Sequence, residues 1–98
     1  MVTRLTAAET ETHLEDLSSW QSVDGRHAIT RSFLFKDFNA AFGFMTQVAL
    51  YAESVGHHPE WRNVYNRLEV TLTTHDARGL SHLDIAMARF MDALFGNA

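Results

Sequence analysis

The alternation of apolar and polar positions along the chain predicts four β-strands in two hairpins. In the last strand Leu68, Val70 and Leu72 alternate with polar residues, which is the period of a strand with one buried face. Asp24-Gly25 is a hairpin turn signal, and a second tight turn is predicted at Asn66-Arg67. The predicted strands are a short one near Trp20 to Val23, then Ala28 to Phe35, Trp61 to Tyr65, and Leu68 to Thr74.

Capping residues and helical periods predict three helices. Thr6 and Glu9 have the spacing of a capping box, in which each side chain satisfies the other residue's backbone N–H. Asp37 is a suitable N-cap, and so is Ser81, which has Asp84 three residues later. The predicted helices run from Ala7 to Leu17, from Phe38 to about Glu53, and from the residue after Ser81 to about Leu94, with Gly96 ending the last one.

The second predicted helix carries more apolar surface than one contact needs. Its apolar residues form two stripes, one made of Phe38, Phe42, Met45 and Ala49, and another made of Phe44, Val48 and Tyr51. A helix that packs only on its own sheet needs one stripe, so a deeply buried helix and a subunit interface are both open interpretations. If the second stripe is an interface, an aspartate at Phe44 or Val48 would break the assembly.

The order of predicted elements is helix, strand, strand, helix, strand, strand, helix. Two hairpins with accompanying helices predict an α+β fold, with a four-stranded antiparallel sheet and the helices on one face. The chain has 98 residues and no visible repeat or linker, so we expect one domain over residues 1–98. Its residues are 46% hydrophobic, enough for a modest core that association with other subunits would help to stabilise.

Charge and composition argue against several classes of protein. The formal net charge is −4 and no basic stripe is present, which disfavours direct nucleic-acid binding. The absence of cysteine excludes a disulfide scaffold, a cysteine nucleophile and a Cys-based zinc site. The segment Met1 to Ala8 lacks the apolar run of a signal peptide, and no run is long enough to span a bilayer. The expected location is therefore the cytoplasm.

Three histidines are predicted to converge at one end of the second hairpin. His57 and His58 precede its first strand, and His75 closes its second strand. With a turn at Asn66, or between Asn66 and Arg67, paired positions have numbers that sum to about 132 or 133, which places His75 opposite His57 or His58. An imidazole titrates near neutrality, so the cluster suits proton transfer. Structural histidines and a metal site are the alternatives.

Five residues near this cluster allow a structural and a functional interpretation. Glu53 is either a surface carboxylate at a helix end or a group that orients an imidazole or binds the donor edge of a heterocycle. Asp84 fits the third position of a helix capping box. Trp20 and Trp61 are candidates to line a pocket for a flat ring, although core packing is the simpler interpretation. Pro59 restricts the preceding histidine to an extended conformation.

These residues resemble the pattern of the pterin-4a-carbinolamine dehydratase family, also called the dimerisation cofactor of a homeodomain transcription factor. The family pattern is Glu, three residues, His-His-Pro, five residues, Tyr, nine residues, His, and a later Asp. Every spacing is met here by Glu53, His57-His58-Pro59, Tyr65, His75 and Asp84. Similar flanking segments extend the resemblance from about Trp20 to Phe90. Ala77 departs from it, because some members carry cysteine there.

The resemblance implies a fold, an assembly and a reaction. The fold is a sheet of four antiparallel strands with three helices on one face, and the assembly is a homotetramer built as a dimer of dimers. The reaction converts 4a-hydroxytetrahydropterin, such as 4a-hydroxytetrahydrobiopterin, to quinonoid dihydropterin and water. It recycles the pterin used by aromatic amino acid hydroxylases, through histidine acid–base catalysis and without any cofactor.

The resemblance also implies roles for individual residues. His57 and His75 act as acids near the 4a carbon, and His58 mainly holds the pterin. The other implied substrate-binding residues are Glu53, Pro59, Thr74, Asp76, Ala77, Trp61 and Trp20, with Asp84 in a supporting role. No metal ligand, nucleotide or flavin is implied.

The sequence leaves two other functions open. The chain is alternatively a non-catalytic dimerisation or coactivator module whose partner is a transcription factor, or a histidine-based metallohydrolase. The metallohydrolase is the weaker alternative. Adjacent side chains such as His57 and His58 diverge in an extended chain, so they are poorly placed to bind one metal ion together. The expected partners are a pterin, further copies of the chain, and either an aromatic amino acid hydroxylase or a transcription factor. Neither direct nucleic-acid binding nor membrane association is expected.

Overall fold

The computed structural model describes residues 2–96, and within them it contains three α-helices, four β-strands and one short 3₁₀ helix. We label the main elements in chain order as α1 Ala7–Asp16, β1 Gln21–Ser22, β2 Ile29–Leu34, α2 Phe38–Val55, β3 Glu60–Val64, β4 Arg67–Leu72 and α3 His82–Gly96. The 3₁₀ helix, His75–Ala77, lies between β4 and α3. The predicted order of helices and strands is confirmed.

The four strands form one antiparallel sheet in the order β1-β2-β4-β3. On the two central strands the paired residues Ile29 and Leu72, and likewise Phe33 and Leu68, are buried. Alternate side chains point to opposite faces, and Leu34, next to Phe33 in sequence, is 65% exposed. The helices therefore cover one face of the sheet and leave the other open, which confirms the predicted α+β class.

The turn between β3 and β4 differs from the prediction by one residue. Val64 pairs with Arg67, so the turn residues are Tyr65 and Asn66 rather than Asn66 and Arg67. Tyr65 adopts a left-handed conformation with a φ of 50°. The Asn66 side-chain N–H donates to the Phe35 carbonyl at 3.0 Å, and the Asn66 carbonyl accepts from the Phe35 N–H at 2.8 Å. These two hydrogen bonds hold Asn66 inside the turn, against the end of β2.

The end of β4 also differs from the prediction, because the strand ends at Leu72 rather than Thr74. Thr74 leaves the strand and makes an isolated bridge with Gly79. The hydroxyl of Thr73 donates to the carbonyl of His27 at 3.0 Å. The chain therefore leaves the sheet two residues early and forms a loop, with the 3₁₀ helix at its centre, before α3 begins.

The two apolar stripes of α2 have different environments. The core-facing residues are Ala41, Phe44, Val48 and Ala52, which are at most 5% exposed. Because Phe44 and Val48 are buried in the chain's own core, the buried-helix interpretation of their stripe is correct and the interface interpretation is wrong. In the other stripe Phe38 and Phe42 are 45% and 55% exposed, and their rings contact each other with centroids 5.7 Å apart. Met45 of the same stripe packs partly against the core, so we use the name uncovered stripe for Phe38 and Phe42.

The helix ends follow the predicted capping residues. The Glu9 N–H donates to the Thr6 hydroxyl at 3.1 Å and the Thr6 N–H donates to the Glu9 carboxylate at 2.8 Å, which confirms the capping box of α1. Asp37 accepts from the N–H of Ala40 at 2.8 Å and caps α2. α2 continues two residues beyond the predicted end, to Val55. Within residues 2–96, no helix has both the length and the apolar character needed to cross a membrane.

Candidate active site

An open cavity of about 370 Å³ lies where the end of α2, the second hairpin and the start of α3 meet. The histidines singled out in the sequence, His57, His58 and His75, all line it. Gly56 ends α2 in a left-handed conformation with a φ of 66°, which turns the chain so that the histidine pair enters the cavity before β3 begins. The other lining residues are Val2, Gly56, Glu60, Thr73, Thr74, Asp76 and Leu83.

His57 is held by a buried carboxylate. Its Nε2 atom lies 2.6 Å from Oδ1 of Asp84, and the two side chains are 9% and 0% exposed. The second oxygen of Asp84 already accepts hydrogen bonds from the Thr74 hydroxyl at 2.7 Å and the Ser81 N–H at 3.0 Å. A carboxylate with these donors accepts from His57, so the proton lies on Nε2. The ring orientation is then fixed, and Nδ1 is the nitrogen available to a bound molecule.

A chain of hydroxyl groups extends from Asp84 to the start of α3. The Thr74 and Ser81 hydroxyl oxygens are 2.7 Å apart. Since the Thr74 hydroxyl donates to Asp84, the Ser81 hydroxyl donates to Thr74, and it accepts from the Leu83 N–H at 3.2 Å. Within residues 2–96, no buried side-chain nitrogen or oxygen lacks a hydrogen-bond partner. Asp84 therefore caps α3, as its spacing from Ser81 predicts, and orients His57 as well.

His58 has an exposed partner, in contrast to His57. Its Nε2 atom lies 2.8 Å from Oε1 of Glu53, and the side chains are 64% and 81% exposed. The predicted function of Glu53 as a carboxylate that orients an imidazole is consistent with this contact, and the imidazole is that of His58. A contact this open to solvent contributes little to stability, so it orients the His58 ring without burying it.

His75 is exposed at the start of the 3₁₀ helix rather than at the end of a strand. The pairing of Val64 with Arg67 is shifted from the predicted register, and β4 ends before the histidine, so strand pairing is not what brings His75 to the cavity. Its loop is closed by two backbone hydrogen bonds between Thr74 and Gly79, of 2.8 and 3.2 Å. This closed loop holds His75 at the rim of the cavity.

His27, on the hairpin between β1 and β2, supports the same loop. The backbone N–H of Leu80 donates to Nδ1 of His27 at 2.8 Å. A Cβ atom at Gly79 would lie 2.3 Å from that Nδ1, so only glycine allows this close approach. Burial is the main cause that lowers the pKa of His27 below 6.5, with Arg4 adding to the effect and Asp84 opposing it. The neutral ring, which can accept this hydrogen bond, is thereby favoured.

Glu60 forms a two-pronged ion pair at the edge of the cavity. Its two carboxylate oxygens each lie 3.0 Å from a guanidinium nitrogen of Arg26. The hydrogen bond from Arg26 is the main cause that lowers the pKa of Glu60 below 4.5. The Glu60 carboxylate is therefore ionised at neutral pH and is no proton donor there.

Comparison with known proteins identifies the family of this chain. The family model described as pterin 4 alpha carbinolamine dehydratase matches residues 3–94. The chain belongs to the pterin-4a-carbinolamine dehydratase family. The resemblance identified from the Glu53 to Asp84 pattern is thus confirmed over nearly the whole chain.

Relatives in this dehydratase family are similar over almost their full length. Proteins of Brucella ovis and Brucella canis, whose names assign them provisionally as pterin-4-alpha-carbinolamine dehydratases, are each 61% identical over 93 residues, 95% of this chain and 96% of theirs. A crystal structure described as a transcriptional coactivator/pterin dehydratase from Brucella melitensis is 60% identical, with a TM-score of 0.93. That likeness covers 95% of this chain and 99% of the other.

Several residues predicted for a dehydratase site lie outside the lining of the cavity. Trp20 is 4% exposed in the core, and its indole N–H donates to Asp92 at 2.8 Å. Trp61 is half-buried and packs against the same core, so core packing is the interpretation that the contacts of both tryptophans support. Pro59 and Ala77 flank lining residues without lining the cavity themselves.

Other residues line the cavity although the sequence did not single them out. Glu60 and Thr73 are neighbours of predicted residues, and their positions next to the His-His-Pro segment and the Thr-His pair were a usable signal. Val2 and Leu83 carry no such signal, because an apolar side chain near a chain end or in a first helical turn is ordinary. Among residues 2–96, no group of three or more His, Asp or Glu side chains is arranged to hold a metal ion.

Proposed function

We propose that this chain catalyses the dehydration of a 4a-hydroxytetrahydropterin to quinonoid dihydropterin and water. The oxygen on the 4a carbon receives a proton and leaves as water. The N5 lone pair forms the new C4a=N5 double bond as the carbon–oxygen bond breaks, and N5 then loses its proton. One proton is delivered and one is removed, so the catalyst returns to its starting state without a redox cofactor.

The observation that carries the proposal is the buried hydrogen bond between His57 and Asp84 in the wall of the cavity. A hydroxide ion is a poor leaving group, so the reaction needs a positioned acid beside the 4a oxygen. His57 meets this need in its doubly protonated form, because Asp84 accepts from Nε2 and fixes the ring while the second proton, on Nδ1, can pass to the 4a oxygen. The other carboxylate at this edge, Glu60, is held ionised by Arg26 and is unsuited to the same role.

His75 and His58 complete the proposed chemistry. His75 lines the same cavity from the 3₁₀ helix that follows β4, and it acts as the second acid near the 4a carbon. An imidazole that has given its proton to the leaving oxygen can take up a proton as N5 is deprotonated, so the proton count of the site is restored within one turnover. His58, steered by Glu53 and open to solvent, mainly holds the pterin. Thr74, Asp76 and Ala77 belong to the loop that would border the other edge of the ring.

The uncovered stripe of α2 supports the proposal that copies of the chain assemble. Phe38 and Phe42, 45% and 55% exposed, form an apolar surface patch of the kind that marks an interface between proteins. We place this face in the contact between chains of a dimer of dimers. The coactivator description of the Brucella melitensis protein favours a second proposed role, in which a transcription factor binds this chain. An aromatic amino acid hydroxylase as the source of the substrate, and a cytoplasmic location, stay predictions.

The activity is tested with synthetic 4a-hydroxytetrahydropterin. Formation of quinonoid dihydropterin is followed by absorbance, and purified protein is expected to raise the rate far above that of buffer alone. The reaction as proposed uses no metal ion, so exhaustive dialysis against EDTA leaves the rate unchanged. Folded protein that gives only the buffer rate would remove the proposed activity. Activity lost on chelation and restored by zinc would favour the metallohydrolase instead.

A further inference from the structure

A second cavity of about 410 Å³ adjoins the histidine cavity and shares part of its wall. Glu60, Thr73, Thr74 and His75 line both cavities. The residues that belong only to the second are Arg26, Arg78 and Gly79. We call this second cavity the arginine annex. Because the two cavities share His75, a molecule bound beside that imidazole can extend a substituent directly into the annex.

The charge of the annex is opposite to that of the whole chain. The formal net charge of the protein is −4, yet two guanidinium groups and one carboxylate line the annex. The Glu60 carboxylate neutralises the charge of Arg26 in the bidentate ion pair. Among residues 2–96, no carboxylate lies within ion-pair distance of Arg78, so its positive charge is the uncompensated one in the annex.

The backbone holds Arg78 at the annex in an uncommon conformation. Arg78 ends the 3₁₀ helix with a φ of 57°, a left-handed conformation that non-glycine residues rarely adopt. Its N–H donates to the carbonyl of His75 at 3.0 Å, and the closed loop from Thr74 to Gly79 encloses both residues. The loop that holds His75 therefore also holds Arg78, and both residues line the annex.

We propose that the arginine annex binds an anionic group, a phosphate ester or a carboxylate, on the side chain of the pterin substrate. Arg78 is the principal contact, since a guanidinium offers paired N–H donors that match the oxygens of such groups. Arg26 adds positive charge at the rim while Glu60 keeps it in place. The inference rests on the proposed function for the identity of the ring, and it adds the class of substituent that the ring carries.

Two stable probes test the annex without any turnover. One is an oxidised, fluorescent pterin with a neutral dihydroxypropyl chain at position 6, and the other is its phosphate monoester. Fluorescence titration of the full-length protein is expected to give a Kd about tenfold or more lower for the phosphorylated probe, the order of one charge-assisted hydrogen bond. The ratio of the two Kd values should shrink as salt rises, because the contact is exposed.

Variants of Arg78 separate binding of the phosphate group from binding of the pterin ring. In Arg78→Ala the ratio of the two Kd values is expected to fall to about one, whereas Arg78→Lys keeps part of it, because the charge remains and the paired donors do not. Arg89→Ala is the matched control. Arg89 is an exposed arginine on α3 that faces Asp16 at 3.9 Å and lines neither cavity, so its replacement leaves the ratio as in the wild type.

The same experiment distinguishes failure of this inference from failure of the proposed function. Equal Kd values for the two probes in the wild type, or a preference for the neutral probe, would overturn the anionic subsite even if the enzyme dehydrates its substrate. Conversely, a wild-type preference that Arg78→Ala removes, found in a protein without dehydratase activity, would leave the subsite standing and remove the reaction. A preference that survives in Arg78→Ala would exclude Arg78 as the anion contact and overturn the proposal.

Discussion

The Nε2 atom of His57 and Oδ1 of Asp84 are 2.6 Å apart in a region that solvent barely reaches. Asp84 joins two parts of the molecule through this contact, because its other oxygen accepts from the Thr74 hydroxyl and from the N–H of Ser81, just before α3. The helix that needs a cap and the histidine that needs a fixed ring therefore share one carboxylate. Folding of α3 and orientation of the proposed acid depend on each other.

Asp84→Asn is predicted to lower kcat by about 10- to 100-fold, the usual cost of losing a carboxylate that orients a functional histidine. If the amide oxygen faces His57, the NH₂ group meets the Thr74 hydroxyl and the Ser81 N–H, which are both donors. The free energy of unfolding should therefore fall by about 1–3 kcal/mol. Rates measured on folded protein, with KM separated from kcat, check the prediction.

Asp16→Asn is the control for this substitution. Asp16 lies at the end of α1 with a side chain 71% exposed, and its partner Arg89 is 3.9 Å away. Neither kcat nor stability should change appreciably in this variant. A kcat within twofold of the wild type in Asp84→Asn would show that the carboxylate does not support the reaction through His57.

His58→Ala is predicted to raise KM more than it lowers kcat, because His58 is proposed to hold the ring rather than to transfer the proton. Its contact with Glu53 is exposed, so Glu53→Gln should have a smaller effect of the same kind. Steady-state kinetics give KM and kcat for both variants and for the wild type. Glu11→Gln on α1 is the surface control. A fall in kcat by a factor typical of a lost acid, about 10² or more, would instead place His58 at the proton transfer.

The stability of the fold is predicted to decrease as the pH falls below about 7 through the titration of His27. The folded structure lowers the pKa of His27 below 6.5, so the unfolded chain binds more protons as the solution becomes acidic. Protonation also removes the acceptor that Nδ1 offers to the Leu80 N–H. Stability is thus fully present above the unfolded pKa and is lost as the pH falls through the folded one.

Urea unfolding at several pH values, in wild type and His27→Asn, measures this contribution. The asparagine oxygen can accept the same hydrogen bond and does not titrate, so the variant should lose less stability between about pH 7 and pH 5. His82→Asn, an exposed histidine outside this contact, should follow the wild type. Parallel pH curves for wild type and His27→Asn would contradict the assignment.

Phe42→Asp is predicted to lower the mass of the particle in solution without unfolding the chain. Phe42 is 55% exposed on the uncovered stripe of α2, so the charge harms a contact between chains and not the core. Phe44→Asp, at 5% exposure, should instead destabilise the chain itself. Light scattering and thermal unfolding separate the two effects, with Gln47→Asp on another side of α2 as the control. An unchanged mass for Phe42→Asp would exclude this stripe from the contact.

Local patterns predicted most of the fold, because the signals that carry it are short-range. The capping box of Thr6 and Glu9 and the N-cap at Asp37 are contacts within one helical turn, and both form as predicted. The strand alternation around Val70 correctly identified the buried face of β4. The turn at Tyr65 and Asn66 was missed by one residue, because the hydrogen bonds that hold it come from Phe35, distant in sequence.

The sequence predicted which histidines form the candidate site, but not which carboxylates contact them. The sequence indicated that His57, His58 and His75 meet, although through a strand register that the structure does not have. Sequence spacing does not show which carboxylate contacts which histidine. Glu53 is four residues from His57 but contacts His58, whereas Asp84, 27 residues from His57, is its partner. The catalytic roles of the histidines stay predictions.

The most direct test measures dehydration of synthetic 4a-hydroxytetrahydropterin by wild type and by the His57→Ala, His75→Ala double variant in one stopped-flow experiment. The expected result is strong acceleration over buffer by the wild type and loss of on the order of 10²–10⁴ in kcat by the double variant. Circular dichroism and thermal unfolding establish that both proteins are folded. A folded double variant that matches the wild-type rate, or a wild type no faster than buffer, would contradict histidine-catalysed dehydration in this cavity.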